Sequence, residues 1–183
     1  RSLYQNPKLL ILDEATNALD EEMEKKLIDK IFNYENLETI LIISHRRSSL
    51  KNCNPKGLID IGANKGEFSK SAKKFIRSIQ NFYLIEANRE CSSYLSNLPW
   101  DYKICLLSNN ERNIDFFINP NDKTSTGNSY YLEETEHFNK ETLVKIKSTT
   151  LDKLISLKKE KFDFLKIDTQ GSELDILKGG LET

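Results

Sequence analysis

Apolar and polar positions along the chain alternate between two periods. Leu9–Leu12 is an unbroken apolar run ending in Asp13-Glu14, as a parallel strand buried on both faces requires. Asp20 is a good helix N-cap with Glu21 and Glu22 in the first turn, and Met23, Leu27, Ile28, Ile31 and Phe32 follow at helical spacing. The polar stretch 33–38 ends that helix, and Thr39–Ile43 forms a second apolar strand closed by Ser44-His45-Arg46. Residues 48–56 are polar, with Pro55 and Gly57 beside them, which sets a boundary between segments 1–53 and 54–183. The pattern then restarts with a strand at Leu58–Ile61 and a turn at residues 62–66. A helix carrying Phe68, Ala72, Phe75, Ile76 and Ile79 on one face comes next. Further strands are predicted at Phe82–Ile85, Tyr102–Leu107, Asn113–Asn119, Val144–Ser148 and Phe162–Ile167, with helices at Cys91–Leu98, Leu151–Leu157 and from Gly171 to Gly180. Residues 120–127 read as a turn-rich loop. Strands alternating with helices predict an α/β fold with a mostly parallel sheet.

Composition narrows this picture only a little. The chain has 183 residues, with 27 Lys and Arg against 28 Asp and Glu, a net charge of −1. That balance excludes the basic footprint of a nucleic-acid binder. No apolar run is long enough for a membrane span, and the first residues do not resemble a signal peptide. Cys53, Cys91 and Cys105 have no CxxC spacing, so they read as free thiols in a reducing cytoplasm. Both ends read as cut: residue 1 is Arg, and Thr183 closely follows a helical pattern.

Two carboxylates at the end of an apolar strand sit where open α/β sheets bind ligands. Asp13 can hold Mg²⁺ through water, Glu14 can orient or deprotonate an attacking water, and His45 can return to the same edge to meet a γ-phosphate. Alone, an Asp-Glu pair is an ordinary surface turn and a lone His an ordinary hydrogen-bonding residue. Together, RSLYQNPKLLILDEATNALD and Ile42-Ile43-Ser44-His45-Arg46 resemble the ATP-binding domain of ABC transporters. They match its Walker B strand, catalytic glutamate (Glu14), D-loop (Asp20) and switch histidine (His45) over residues 1 to about 53. The chain has no GxxxxGK(S/T) loop to cradle phosphates, so no ATPase activity is expected from this segment by itself. The resemblance implies ATP and Mg²⁺ as ligands of a complete site. It further implies a bacterial membrane transporter as the longer parent, with this part at the cytoplasmic face of the inner membrane.

The second segment places Asp60-Ile61-Gly62-Ala63-Asn64-Lys65-Gly66 between a strand and a helix. Gly62 and Gly66 permit a tight turn and close approach of a ligand to the backbone, and the helix start offers free N–H groups. About twenty residues on, Glu86 ends the next strand, where an acid can accept both ribose hydroxyls of an adenosine cofactor. NAD and S-adenosylmethionine both suit that geometry, but the loop is not GxGxxG. Lys166-Ile167-Asp168-Thr169-Gln170-Gly171-Ser172-Glu173 lies at the end of the last strand, facing the transferred group. Here the chain resembles the FkbM-type methyltransferases. GLIDIGANKGEFS is similar to their first cofactor motif, YLIEAN to the second, and TTLDKLI with FDFLKIDTQGSELDILKGG to the closing motif, where Thr169-Gln170 replaces a common Val-Glu.

That resemblance implies a Rossmann-like class I methyltransferase sheet, incomplete at its C-terminal end, with an N-terminal β-α-β remnant of the ATPase domain. It implies S-adenosylmethionine held by Asp60, Gly62, Asn64, Gly66, Glu86 and Ser108, with Leu107 and Ser108 flanking the adenine. The acceptor is expected to be a hydroxyl on a sugar, lipid-linked glycan or polyketide-type small molecule. Asp168 reads equally as the base that orients this hydroxyl and as a cap for the following helix. Glu173 reads as a first-turn charge, His137 as a solvated loop residue, and residues 125–129 as acceptor contacts. Further strands are expected beyond this segment, so the cofactor is expected to bind weakly. Three readings of the whole stay open: a methyltransferase behind an ATPase remnant, an ATP-driven glycan or lipid exporter with an appended methyltransferase, and an accidental junction without function. The abrupt join between Asn52 and Pro55 is unlike a flexible tether.

Overall fold

The computed structural model describes residues 9–13, 19–34, 39–43, 55–131 and 143–183. It divides into two compact units, residues 1–54 and 55–183. In the first, β1 (Leu9–Asp13) pairs in parallel with β2 (Thr39–Ile43), and α1 (Glu21–Phe32) connects them. Asp20 caps α1 as its chemistry dictates, its Oδ1 accepting from the Met23 N–H at 2.8 Å. Ile28 and Ile31 are buried, whereas Met23 points outward, 52% exposed, and Glu24 occupies the buried position beside it. Met23 therefore does not lie on the buried face of this helix.

The second unit is built on four parallel strands in the order β5-β4-β3-β9. These are β3 (Gly57–Ile61), β4 (Asn81–Glu86), β5 (Asp101–Ile104) and β9 (Phe164–Ile167). All five residues of β3 are buried, the signature of a parallel strand covered on both faces. On one face Ile59, Ile61, Tyr83 and Ile85 pack with Leu151 and Leu154 of α4 (Leu151–Ile155) and with Ile176 of α5 (Glu173–Lys178). The opposite face receives α2 (Glu67–Phe75), whose buried Ser69 bonds to Asp60, and α3 (Ser92–Leu95), whose Leu95 is fully buried. The α/β parallel sheet predicted from alternating strands and helices is thus present.

Three elements differ in extent from the sequence reading. The predicted strand 102–107 is not one strand. β5 stops at Ile104, the Cys105 N–H donates to Glu86 O at 2.8 Å, and β6 (Leu106–Leu107) leaves to pair in parallel with β8 (Leu143–Thr149). β8 also pairs antiparallel with β7 (Asn113–Phe117), making a separate sheet ordered β6-β8-β7. The predicted helix 91–98 is a 3₁₀ turn (Arg89–Cys91) followed by the single turn of α3. The helix after the glycine loop ends at Phe75; Ile76 is extended, and Phe75 is 47% exposed rather than on the buried face.

Candidate functional site

The carboxyl ends of β3, β4 and β9, with β6 and β7, bound a pocket of about 640 Å³ including its open mouth. Its floor is the turn after β3. Gly62 has φ +72°, Asn64 φ 49° and Gly66 φ +77°, so the turn at residues 62–66 uses the left-handed region three times. The glycine is required for a second reason: a Cβ on Gly62 would lie 1.9 Å from the Asp168 carbonyl oxygen of the neighbouring strand end.

Glu86 is the buried acid of this pocket, 8% exposed. Its Oε2 accepts the Asn64 N–H at 2.7 Å and its Oε1 the Asn88 N–H at 2.8 Å. Burial pushes its carboxyl above the usual carboxylate range, while those two N–H groups and the Lys166 ammonium pull it partly back. Each carboxylate oxygen has two lone-pair directions, so the group retains acceptor capacity for a ligand. Leu106, Leu107 and Phe116 form an apolar wall, and Ser125, Thr126, Asn128 and Tyr130 a polar one. Tyr130 donates its hydroxyl to Asp175 at 2.9 Å; its own acidity is suppressed by burial and then by that carboxylate.

The structure brings Gly62, Asn64, Glu86 and Asp168 together around the pocket. Asp60 is elsewhere: it is fully buried beneath the loop, its Oδ2 accepting from Ser69 Oγ at 2.7 Å. Its Oδ1 lies 3.0 Å from Lys166 Nζ, a Coulombic pairing without the alignment of a directed hydrogen bond. Asp60 does not line the pocket: in a strand neighbours alternate faces, and Asp60 points to the α2 side, where it supports the loop. Gly66 caps α2 with φ +77° and is packed by Leu98, Leu84 and Leu95 rather than lining the pocket. Ser108 is likewise fully buried behind Leu107, its N–H donating to Thr149 O at 3.0 Å.

Asp168 is not the cap of α5. The N-cap position is Ser172, and Glu173 folds back to accept from the N–H groups of Thr169 (2.9 Å) and Gly171 (3.2 Å). Burial raises the Glu173 carboxyl, but its own N–H and those of Thr169 and Gly171 outweigh it and hold the group below its ordinary value. Asp168 stays exposed at the mouth, 3.9 Å from Lys166 Nζ. Sequence reasoning missed Lys166, which also donates to Gly62 O at 3.1 Å, and Asn88, whose place directly after Glu86-Ala87 was its only signal. In the first unit, parallel register sets Asp13 beside Ile43 at the carboxyl ends of β1 and β2. Glu14, His45 and the Asp13 side chain, and His137 in the second unit, lie outside what the structure describes. Among the described residues no group of His, Cys, Asp or Glu could hold a metal ion, and no helix is long and apolar enough to cross a membrane.

Comparison with known proteins finds relatives of two kinds. The family model described as the methyltransferase FkbM domain matches residues 60–183. A solved structure of methyltransferase FkbM from Methylobacillus flagellatus KT covers 70% of this chain and 30% of its own, at 18% identity and a TM-score of 0.47. Over the N-terminal part the chain is similar to ATP-binding cassette transporters. It is 45% identical over 62 residues to the mouse mitochondrial ATP-binding cassette sub-family B member 10, covering 34% of this chain and 9% of that protein. It is 42% identical over 62 residues to the ATP-dependent lipid A-core flippase of Saccharophagus degradans, covering 34% of this chain and 11% of that protein. The chain thus spans about a tenth of the length of these relatives.

Proposed function

Because the chain belongs to the FkbM methyltransferase family, we propose that its second unit uses S-adenosylmethionine to methylate a hydroxyl of a small-molecule or glycan acceptor. The observation that carries this reading is Glu86, a buried acid at the end of β4 whose two oxygens are aimed by main-chain N–H groups from the two adjoining loops. The residues fit the cofactor. Glu86 would take the ribose hydroxyls, the Gly62–Asn64 main chain the amino-acid end, and Leu106 and Leu107 the adenine. When bound, the cofactor supplies a methyl group already activated on a sulfonium.

The protein's own part is alignment and proton handling. Asp168, exposed at the mouth, is placed to orient the acceptor hydroxyl and take its proton. Lys166 holds Gly62 O on one side and faces Asp168 on the other, which fixes the distance between cofactor loop and acceptor edge. Titration calorimetry of the full chain tests the assignment. S-adenosylmethionine is expected to bind, and Glu86→Ala to weaken it at least tenfold. Tight binding of NADH in its place would sink the reading.

For the first unit, the similarity to ATP-binding cassette transporters supports a second reading: Asp13, Glu14 and His45 belong to an ATP- and Mg²⁺-binding site of a longer export ATPase at a membrane. No ATP turnover is expected from the chain alone. Mg-ATP hydrolysis by this chain that disappears in Glu14→Gln would show the opposite.

A further inference from the structure

Two asparagines repeat one arrangement. Asn64, in the turn after β3, donates its backbone N–H to Glu86 Oε2 and its side-chain Nδ2 to Thr124 O at 2.9 Å. Asn88, in the turn after β4, donates its backbone N–H to Glu86 Oε1 and its Nδ2 to Lys123 O at 2.5 Å. Each residue therefore holds the pocket carboxylate with its main chain and the same two-residue piece of the 119–129 segment with its side chain. Asn88 is 1% exposed, so while that segment is in place its amide has Lys123 O as partner in place of water. The segment is braced from within: Asn128 Nδ2 also donates to Lys123 O at 2.9 Å, and Asn128 Oδ1 accepts from the Asn119 N–H at 2.8 Å. A third tie runs to the other side of the pocket, where Ser129 Oγ donates to Gln170 O at 3.0 Å. Ser125, Thr126 and Asn128 of this segment line the pocket together with Glu86 and Asp168.

We propose that Asn64 and Asn88 are positioning residues that couple the Glu86 carboxylate to a strap, residues 119–129, closing the acceptor side of the pocket. The coupling to cofactor rests on the methyltransferase reading; the latch itself does not. Anything that seats Glu86 correctly fixes both asparagine backbones, and so presents both amide donors to the strap. The strap in turn holds the acceptor wall at a set distance from Asp168.

Two substitutions remove the donors while keeping the local backbone. Asn64 has φ 49°, so Asn64→Gly keeps its turn and its N–H to Glu86. Asn88→Ser keeps a short acceptor for the Glu90 N–H that Asn88 Oδ1 now receives at 3.1 Å, but lacks the reach to Lys123. Hydrogen exchange followed by mass spectrometry on the full chain reads the strap directly, because amide exchange tracks local opening. In the ligand-free double variant, peptides covering 119–129 are expected to exchange about fivefold faster per lost donor, roughly 25-fold together. Peptides from β3 and β4 stay unchanged. S-adenosylhomocysteine is expected to slow strap exchange in the parent, and to bind the double variant at least tenfold more weakly.

Unchanged strap exchange in the double variant overturns the latch. Faster strap exchange with unchanged S-adenosylhomocysteine affinity overturns the coupling. Failure of the parent to bind S-adenosylhomocysteine overturns the methyltransferase reading, while exchange in the ligand-free protein still decides the latch. If the double variant does not fold, Asn64→Gly alone, glycine at an already left-handed position, decides it at the fivefold level.

Discussion

Lys166 and Asp60 offer the sharpest test of how the cofactor loop is held. Asp60 is fully buried, with Ser69 as its one directed hydrogen bond and Lys166 Nζ 3.0 Å from its other oxygen. At that separation the Coulomb attraction is about 5 kcal/mol for an effective dielectric near 20, most of it offset by desolvation of the two groups. Removing one partner is different, because the survivor stays buried without compensation. Lys166→Met should cost about 3–5 kcal/mol, since it also gives up the bond to Gly62 O. Asp60→Asn should cost about as much, about 3 kcal/mol, because with the amide oxygen still accepting from Ser69 its Nδ2 faces the Lys166 ammonium, donor against donor. The double variant should fall short of the sum by about 2 kcal/mol, the signature of a coupled pair. Urea unfolding followed by Trp100 fluorescence isolates the second unit, because Trp100 is the chain's single tryptophan and stacks on Phe82 at 4.4 Å. Additivity within about 0.5 kcal/mol at unchanged m-value would refute the pairing as a source of stability.

Other outcomes follow from single contacts. Gly62→Ala combines a φ of +72° with a Cβ 1.9 Å from a backbone oxygen, so it should cost more than about 3 kcal/mol in the same assay. Gly171→Ala, at φ +98° with its nearest neighbour a tyrosine side chain 3.5 Å away, should cost about 1–2 kcal/mol. The Glu173 carboxyl is held below its ordinary value, so its stabilisation is present above 4.5 and is lost as pH falls through the depressed value. The gap in urea midpoint between the parent and Glu173→Gln should accordingly be constant at neutral pH and close in acid. Burial pushes the Cys91 thiol up to about 12 and the Cys105 thiol up to about 11, so neither should be alkylated by iodoacetamide at pH 8 until guanidinium unfolds the chain, as peptide mass spectrometry would read.

The sequence carried those parts of the fold that depend on local chemistry. Asp20 announces a helix because a short side-chain acceptor three residues before a free N–H is a local fact, and the structure makes that bond. Leu58–Ile61 announces a central parallel strand because three of its four residues are apolar, and the structure buries the fourth, Asp60, against Ser69 and Lys166. The run 102–107 misled for the complementary reason. A run of strand-forming residues does not say which neighbour each pairs with, so the transfer from β4 to β8 at Cys105 left no trace in the pattern. The site divides in the same way. Glu86 was legible from the interval between a glycine turn and the end of the next strand, whereas Asp60 was assigned by adjacency to the motif and faces α2 instead.

The long-range tethers that stayed hidden share one property. Asn64, Asn88 and Lys166 act on backbone carbonyls far away in the chain: Thr124, Lys123 and Gly62. Every residue has a carbonyl, so the accepting side of such a bond leaves no mark on the residue type at that position. The donor alone is visible, and an asparagine in a turn already has a sufficient local explanation in its tolerance of left-handed backbone and its short-range caps. Only the three-dimensional coincidence removes that ambiguity: two asparagines, one in each loop beside Glu86, send their main-chain N–H groups to one carboxylate and their side chains to one strap. A local turn preference explains either residue separately, but it does not explain why both amides reach neighbouring carbonyls of the same segment. That shared target is why the amides, rather than the turns, are the features to mutate.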